Sequence, residues 1–111
     1  MSLAVAIASP AKAVAPIKKI NLVERNPISA MVYAKKFVSN PYQWGCLKVL
    51  WLAESNWRPN AWNNTIVIQK GLKLHAGGIP QILGMNPATS VERQIELGLS
   101  YITNRYKTPC R

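Results

Sequence analysis

Apolar side chains recur every three or four residues along two stretches in the first half of the chain, which predicts two helices. The first is expected over about 27–39, because Asn26 supplies a capping side chain and Pro27 suits the first helical position. The second is expected over about 43–55, after Asn40-Pro41. It is apolar on nearly all sides, so we expect it to be the buried central helix.

The second half of the chain predicts a hairpin followed by a third helix. Two short apolar runs, 65–69 and 72–75, flank Lys70-Gly71, which is typical of two strands joined by a tight turn. An apolar stripe then predicts a helix over about 88–105, with Asn86-Pro87 as its cap. The elements together predict a mainly α domain of the α+β class.

The first 25 residues differ from the rest of the chain, since they are rich in alanine and valine and are interrupted by Pro10 and Pro16. One interpretation is a cleaved signal peptide, because Leu3–Ala8 is apolar. No positive charge precedes that run, so we favour an arm that docks on a protein surface. The expected organisation is an arm over 1–25 and a single domain over 26–111.

The charge balance points to an anionic partner. Lysine and arginine total 14 against four acids, which gives a net charge of +10, and the chain has no aspartate. Nucleic acid, an anionic cell-wall polymer and a phospholipid surface are all compatible with this charge. Sites that need aspartate pairs, such as calcium loops and aspartate-assisted triads, are excluded. With one histidine, His75, and two distant cysteines, we expect no metal and no cofactor.

The two cysteines, Cys46 and Cys110, allow two interpretations. They can form a disulfide in an oxidising compartment, where such bridges are common in small domains. Alternatively, they are two unrelated thiols, one buried and one near the chain end. The residues alone leave both open.

Glu54 is the first candidate for chemistry. It ends an apolar helix between Trp51 and Trp57, so a partly dry, aromatic surrounding is expected. Burial and the helix dipole both favour a protonated carboxyl, as a general acid requires. The alternative is an ordinary solvated helix-end residue, or a partner for Arg58 four residues on.

The sequence around this glutamate resembles the first motif of a known family. In the stretch Cys46–Asn63, Glu54-Ser55 is followed two residues later by Trp57, and then by a small residue and an asparagine. This pattern is similar to that of the soluble lytic transglycosylases, which are lysozyme-like enzymes that cut peptidoglycan. The fold expected from the resemblance is a small lysozyme-like domain with a short hairpin beside the catalytic helix.

Three further motifs follow in the family's order. Gly78-Ile79-Pro80-Gln81 resembles the second motif, and Asn86-Pro87 followed by Gly98–Ile102 resembles the third, in which Tyr101 would face the catalytic glutamate. The ending Arg105–Cys110 is similar to that of short secreted and phage members, whose final cysteine pairs with one in the catalytic helix. The resemblance covers about 28–111.

The resemblance implies that Glu54 is the sole acid and base. It would protonate the oxygen between N-acetylmuramic acid and N-acetylglucosamine and then accept the proton of the muramyl 6-hydroxyl, which closes a 1,6-anhydro ring. The composition agrees, because glycosidases that use water typically need a carboxylate pair. Substrate contacts are expected from Ser55, Trp57, Asn63, Gln81 and Tyr101. For Trp57 and Tyr101, the alternative is that the side chain packs in the core.

Two departures from the family pattern are visible. Residues 64–76 are longer and more strand-like than the usual link, and the stretch 81–86 is short, so an open groove is expected. The expected partners are peptidoglycan glycan strands, with virion or envelope proteins bound through 1–25, and no specific nucleic acid. The expected location is a virion, the periplasm or the cell exterior. A virion or envelope component with this fold and little activity is the alternative.

Overall fold

The computed structural model describes residues 22–111. In this part of the chain, three helices account for most of the regular structure, and two small antiparallel hairpins lie between the second and third helices. The predicted α+β, mainly α class is therefore confirmed. The elements are α1 (Pro27–Lys35), α2 (Pro41–Ser55), β1 (Val67–Gln69), β2 (Leu72–Leu74), β3 (Ala76–Gly77), β4 (Ile82–Leu83) and α3 (Val91–Tyr106).

Helix α1 begins at its predicted cap, and α2 begins at Pro41, two residues before its expected start near 43. The Asn26 side chain accepts a hydrogen bond from the Ser29 amide at 2.8 Å. The Asn40 side chain accepts from the amides of Tyr42 and Gln43. Helix α1 is shorter than predicted and ends at Lys35, because the chain must turn there to reach the cap of α2.

The predicted start of the third helix is wrong. Helix α3 begins at Val91, and its cap is Ser90, whose hydroxyl accepts from the Arg93 amide at 3.2 Å. Asn86 instead accepts from the Ala88 amide at 2.9 Å, which closes a separate turn before the helix. The Asn-Pro pair is equally suited to a turn of this kind, which is why the sequence misleads here.

The hairpin around Lys70-Gly71 is confirmed, with Val67 opposite Leu74. A second hairpin, β3–β4, was not predicted. Its strands have only two residues each, and a Cβ at Gly77 would collide with the backbone carbonyl of Met85. The second hairpin therefore depends on close backbone approach, which leaves no alternating pattern in the sequence.

The core is built around three tryptophans, Trp44, Trp51 and Trp57, whose rings pack 5.1 to 5.8 Å apart. Helix α2 supplies two of them on its inner side. Helix α2, which was expected to be the buried central helix, is buried on this side only, because Val49 and Leu52 are exposed on its outer side. Other buried residues come from α1, α3 and the loops: Ala30, Ala34, Ile79, Val91, Ile95 and Ile102.

A disulfide joins Cys46 on α2 to Cys110 near the chain end. The two residues are 64 positions apart. Closing a loop of this length in the unfolded chain is worth about 4 kcal/mol of stability in the chain-entropy model. The bridge therefore holds the segment after α3 against the middle of the central helix.

Most of the predicted arm, residues 1–21, lies outside the described part of the chain. The remaining residues contact the domain, because the Val23 amide donates to the Glu92 carboxylate at 3.1 Å. The Arg25 guanidinium donates to the Thr89 carbonyl at 2.8 Å. Val23 and Arg25, which belong to the predicted arm, therefore pack against the domain. Within residues 22–111, none of the helices combines the length and the apolar character that crossing a membrane requires.

Candidate functional site

A groove of about 420 Å³ runs between the C-terminal end of α2, the two hairpins and the second half of α3. It brings together three of the predicted site residues, Glu54, Gln81 and Tyr101. These come from three separate motifs, so the fold joins positions that are distant in sequence. The other lining residues are Leu50, Trp51, Gln69, Pro80, Ile82, Leu83, Gly98, Ile102, Arg105 and Tyr106.

Glu54 lies in the last turn of α2 and is exposed to solvent. The expected dry, aromatic surrounding is therefore wrong for the free protein. The reason is that both neighbouring tryptophans turn inward: Trp51 is 2% exposed and Trp57 is fully buried. The two aromatic rings pack on the core side of the helix end and leave the Glu54 carboxyl at the groove surface.

Of the carboxylates in residues 22–111, Glu54 alone lines this groove. The Glu92 carboxylate accepts a hydrogen bond from the Val23 amide. Glu96 accepts from the Tyr33 hydroxyl at 3.2 Å and pairs with Arg93 at 3.5 Å. These two glutamates therefore hold α3 to residue 23 and to α1.

Gly98 lets α3 approach α2 closely enough to form the groove. A Cβ at this position would lie 2.6 Å from Trp51 Cζ2 and 2.8 Å from Pro80 Cβ, so a larger residue would force the two helices apart. Tyr101 lies one turn further along α3, on the groove side, and is 47% exposed. The alternative of core packing for Tyr101 is therefore excluded.

The loop that carries Gln81 is anchored by both backbone polar groups of the buried Ile79. Its carbonyl accepts a hydrogen bond from the Ser55 hydroxyl at 2.6 Å. Its amide donates to the Gln94 side chain at 2.8 Å. Ser55 is itself buried and does not line the groove. Its role is to position the loop that follows Ile79.

Gln94 is the residue that sequence reasoning missed. It is fully buried, and its side-chain amide donates to the carbonyls of Pro59, Pro87 and Thr89 at 3.0 to 3.1 Å. It thereby fastens two loops to α3, the one at Pro59 and the one that holds both Pro87 and Thr89. A signal was present, because position 94 falls on the same helical face as Val91 and Ile95.

Gln81 adopts a left-handed backbone conformation, with φ of 54°. Its side-chain nitrogen donates to the Gly78 carbonyl at 3.0 Å, and its own amide donates to the same carbonyl at 3.2 Å. These contacts close the turn and hold the side-chain amide at the groove wall. A carboxamide can donate to and accept from a sugar acetamido group.

Two other predicted contacts lie elsewhere. Trp57 is a core residue, as the alternative interpretation had it, and its indole nitrogen donates to the Lys48 carbonyl at 3.0 Å. Asn63 is outside the groove: its side chain accepts from the Thr65 amide at 2.8 Å, and its amide donates to the Ala76 carbonyl at 3.0 Å. Asn63 therefore shapes the entry to the first hairpin.

Arg105 brings a positive charge to the groove. Its guanidinium lies 5.9 Å from the ring centre of Tyr101 and 5.8 Å from that of Tyr106. A hydrogen bond with Tyr106 is the main cause that raises the pKa of Arg105 above its usual value. The groove therefore combines one carboxyl, two carboxamides, two phenols and one guanidinium on a partly apolar floor.

Comparison of the chain with protein-family models, with curated proteins and with solved structures finds no match. A functional assignment must therefore come from the groove and from the sequence motifs that line it. The groove and the motifs have three residues in common, each from a different motif: Glu54, Gln81 and Tyr101.

Proposed function

We propose that this protein is a peptidoglycan lytic transglycosylase that cleaves the β-1,4 bond between N-acetylmuramic acid and N-acetylglucosamine. The observation that carries the proposal is the single carboxylate, Glu54, in a groove shared with Gln81 and Tyr101. A lone carboxylate suits this reaction better than hydrolysis, because hydrolases of this kind typically position a water molecule or a covalent intermediate with a second acid.

The proposed reaction uses Glu54 twice. The protonated carboxyl donates its proton to the bridging oxygen as the bond from that oxygen to the muramyl C1 breaks. The resulting carboxylate then accepts the proton of the muramyl 6-hydroxyl while that oxygen bonds to C1. The products are a free 4-hydroxyl and a 1,6-anhydromuramyl end, and Glu54 returns to its protonated form.

The surroundings of Glu54 support both steps. A glycan lying in the groove would cover the exposed carboxyl and exclude water, because Leu50, Pro80 and Ile82 provide apolar walls. This desolvation would favour the protonated carboxyl at the start of the cycle. Gln81 would hold an acetamido group, and Tyr101 would hydrogen-bond to the carboxyl or to the sugar.

The net charge of +10 fits this substrate. Peptidoglycan carries carboxylates on its lactyl groups and stem peptides, so a basic protein is attracted to it over several ångströms. The same attraction would operate towards nucleic acid. However, three of the four tryptophans that could have stacked on bases are buried in the core.

Digestion of purified peptidoglycan tests the proposal. The expected products are muropeptides with 1,6-anhydro ends, each lighter by one water molecule than the hydrolytic product, in a mass spectrum. Reducing ends would contradict the anhydro route and indicate hydrolysis. Digestion of several peptidoglycan types is needed, because the open groove is expected to bind weakly.

A second candidate is a virion or envelope component with little activity, located in the particle, the periplasm or the cell exterior. The observation that favours it is the exposed apolar side of α2, where Tyr42 and Val49 line a separate depression of about 810 Å³ beside the disulfide. Apolar surface of this kind is typical of protein contacts. Wild-type protein that is inert on every peptidoglycan type would favour this candidate.

A further inference from the structure

The guanidinium of Arg105 is held in the groove without an acidic partner. Within residues 22–111, the only ion pair is Arg93–Glu96, so no carboxylate lies within 4 Å of Arg105, although Glu54 lines the same groove. Arg105 is exposed to solvent, and its guanidinium lies beside two phenol rings, at 5.9 Å and 5.8 Å from their centres.

This arrangement prepares the guanidinium for a planar anion. The two tyrosine rings restrict the side chain, so less conformational freedom is lost when a ligand binds. A guanidinium presents a rigid fork of N–H donors that matches a carboxylate in two parallel hydrogen bonds. An ammonium group in the same place would lack this match.

The position of Arg105 separates it from the proposed reaction. It lies four residues after Tyr101 on α3, which is one helical turn further along the groove wall. An anion bound there would lie beside the glycan backbone, and it would leave Glu54 free to exchange protons.

We propose that Arg105 binds a carboxylate carried by the glycan strand, so that the groove prefers anionic muramyl glycans to neutral N-acetylglucosamine polymers. This inference rests on the proposed function, because the ligand is the substituent of that substrate. Two sources share the chemistry: the lactyl carboxylate of an unsubstituted muramyl residue, and the carboxylates of a stem peptide.

The test is a binding measurement that needs no turnover. Soluble glycan strands are prepared intact, with the peptides removed by an amidase, and with all carboxylates converted to methylamides. Dissociation constants are measured in low salt for Glu54→Gln and for Glu54→Gln with Arg105→Ala. We expect the second substitution to weaken binding about 3- to 10-fold for strands that carry carboxylates, and to leave binding of the methylamide strands unchanged.

The comparison of the three strand preparations also identifies which carboxylate Arg105 binds. A loss on peptide-free strands assigns the lactyl carboxylate, whereas a loss only on intact strands assigns the stem peptide. Arg93→Ala in the same background is the matched control, because Arg93 is on the same helix, is exposed and lies outside the groove. It should bind every strand as the parent does, and the melting temperatures of all variants should agree.

Equal loss on methylamide and carboxylate strands, or no loss on either, would overturn the inference. The proposed function fails separately. If wild-type protein cleaves no peptidoglycan but strand binding still depends on Arg105 and carboxylates, the groove is a binding site and the enzyme assignment is wrong. If cleavage occurs and Arg105 has no effect, the enzyme assignment stands without this contact.

Discussion

At the residue scale, the site depends on buried polar groups as much as on Glu54. Ile79 is fully buried, so water cannot hydrogen-bond to its backbone amide and carbonyl. Both groups instead pair with side chains that are 15 and 24 positions away in the sequence. Losing one partner leaves a buried polar group unpaired, which costs more than the net value of the bond. The glutamate-serine pair therefore combines a candidate acid with the residue that positions the loop of Gln81.

Ser55→Ala tests this pairing. It leaves the Ile79 carbonyl without its donor at 2.6 Å, so we expect the free energy of unfolding to fall by about 1–3 kcal/mol. Ser100→Ala, at an exposed position on α3, is the control and should change stability by no more than about 0.5 kcal/mol. Urea denaturation measures both. Equal stabilities would show that the hydrogen bond does not anchor the loop.

At the element scale, the approach of α3 to α2 defines the groove, and α1 supports α3 from the other side. Tyr33 on α1 donates to Glu96 on α3, and burial, followed by the charge of Glu96, raises the pKa of its phenol. These contacts join helices that are far apart in sequence. Each one can be tested without altering Glu54.

Two helical glycines provide a matched pair. Gly98→Ala places a Cβ against Trp51 and Pro80, so we expect a loss of about 1–3 kcal/mol in the free energy of unfolding. Gly45→Ala on α2 meets no atom within 4 Å and should gain up to about 1 kcal/mol from helix propensity. Thermal or urea denaturation measures whether each substitution lowers or raises the free energy of unfolding. A stabilised Gly98→Ala would contradict the close approach of the helices.

Tyr33→Phe tests the contact between α1 and α3 through pH. Because the folded state raises the pKa of Tyr33, the neutral phenol contributes stability that is fully present below its ordinary value of about 10. That contribution is lost as the pH rises through the raised value. We therefore expect Tyr33→Phe to lose less stability than wild type between about pH 8 and pH 11. Urea denaturation at both pH values measures it, with exposed Tyr42→Phe as the control.

At the scale of the whole molecule, the disulfide and the motif residues of the groove could be predicted from the sequence. The hydrogen bonds that hold the surrounding loops to α3 could not. The caps at Asn26 and Asn40 and the turn at Lys70-Gly71 act locally, so their residues reveal them. The role of Gln94 depends on loops that meet only after folding, and a local pattern cannot identify those partners. The groove position of Glu54 followed from the resemblance, but its exposure did not.

Replacing both Cys46 and Cys110 by serine tests the bridge. We expect the free energy of unfolding to fall by about 2–5 kcal/mol, because the unfolded chain regains the freedom of a loop of 64 residues. Denaturation of wild type with and without reductant provides the comparison. Two free thiols, detected by alkylation and intact mass in protein from its native compartment, would contradict the bridge.

The central claim is that one carboxylate performs the chemistry, and the rate of peptidoglycan cleavage by Glu54→Gln tests it most directly. Glutamine keeps the size of the side chain but cannot donate and then recover a proton, so the account predicts a loss on the order of 100-fold or more with an unchanged melting temperature. Glu96→Gln, which alters a carboxylate outside the groove, should retain most of the activity. Cleavage by Glu54→Gln at the wild-type rate would contradict the account.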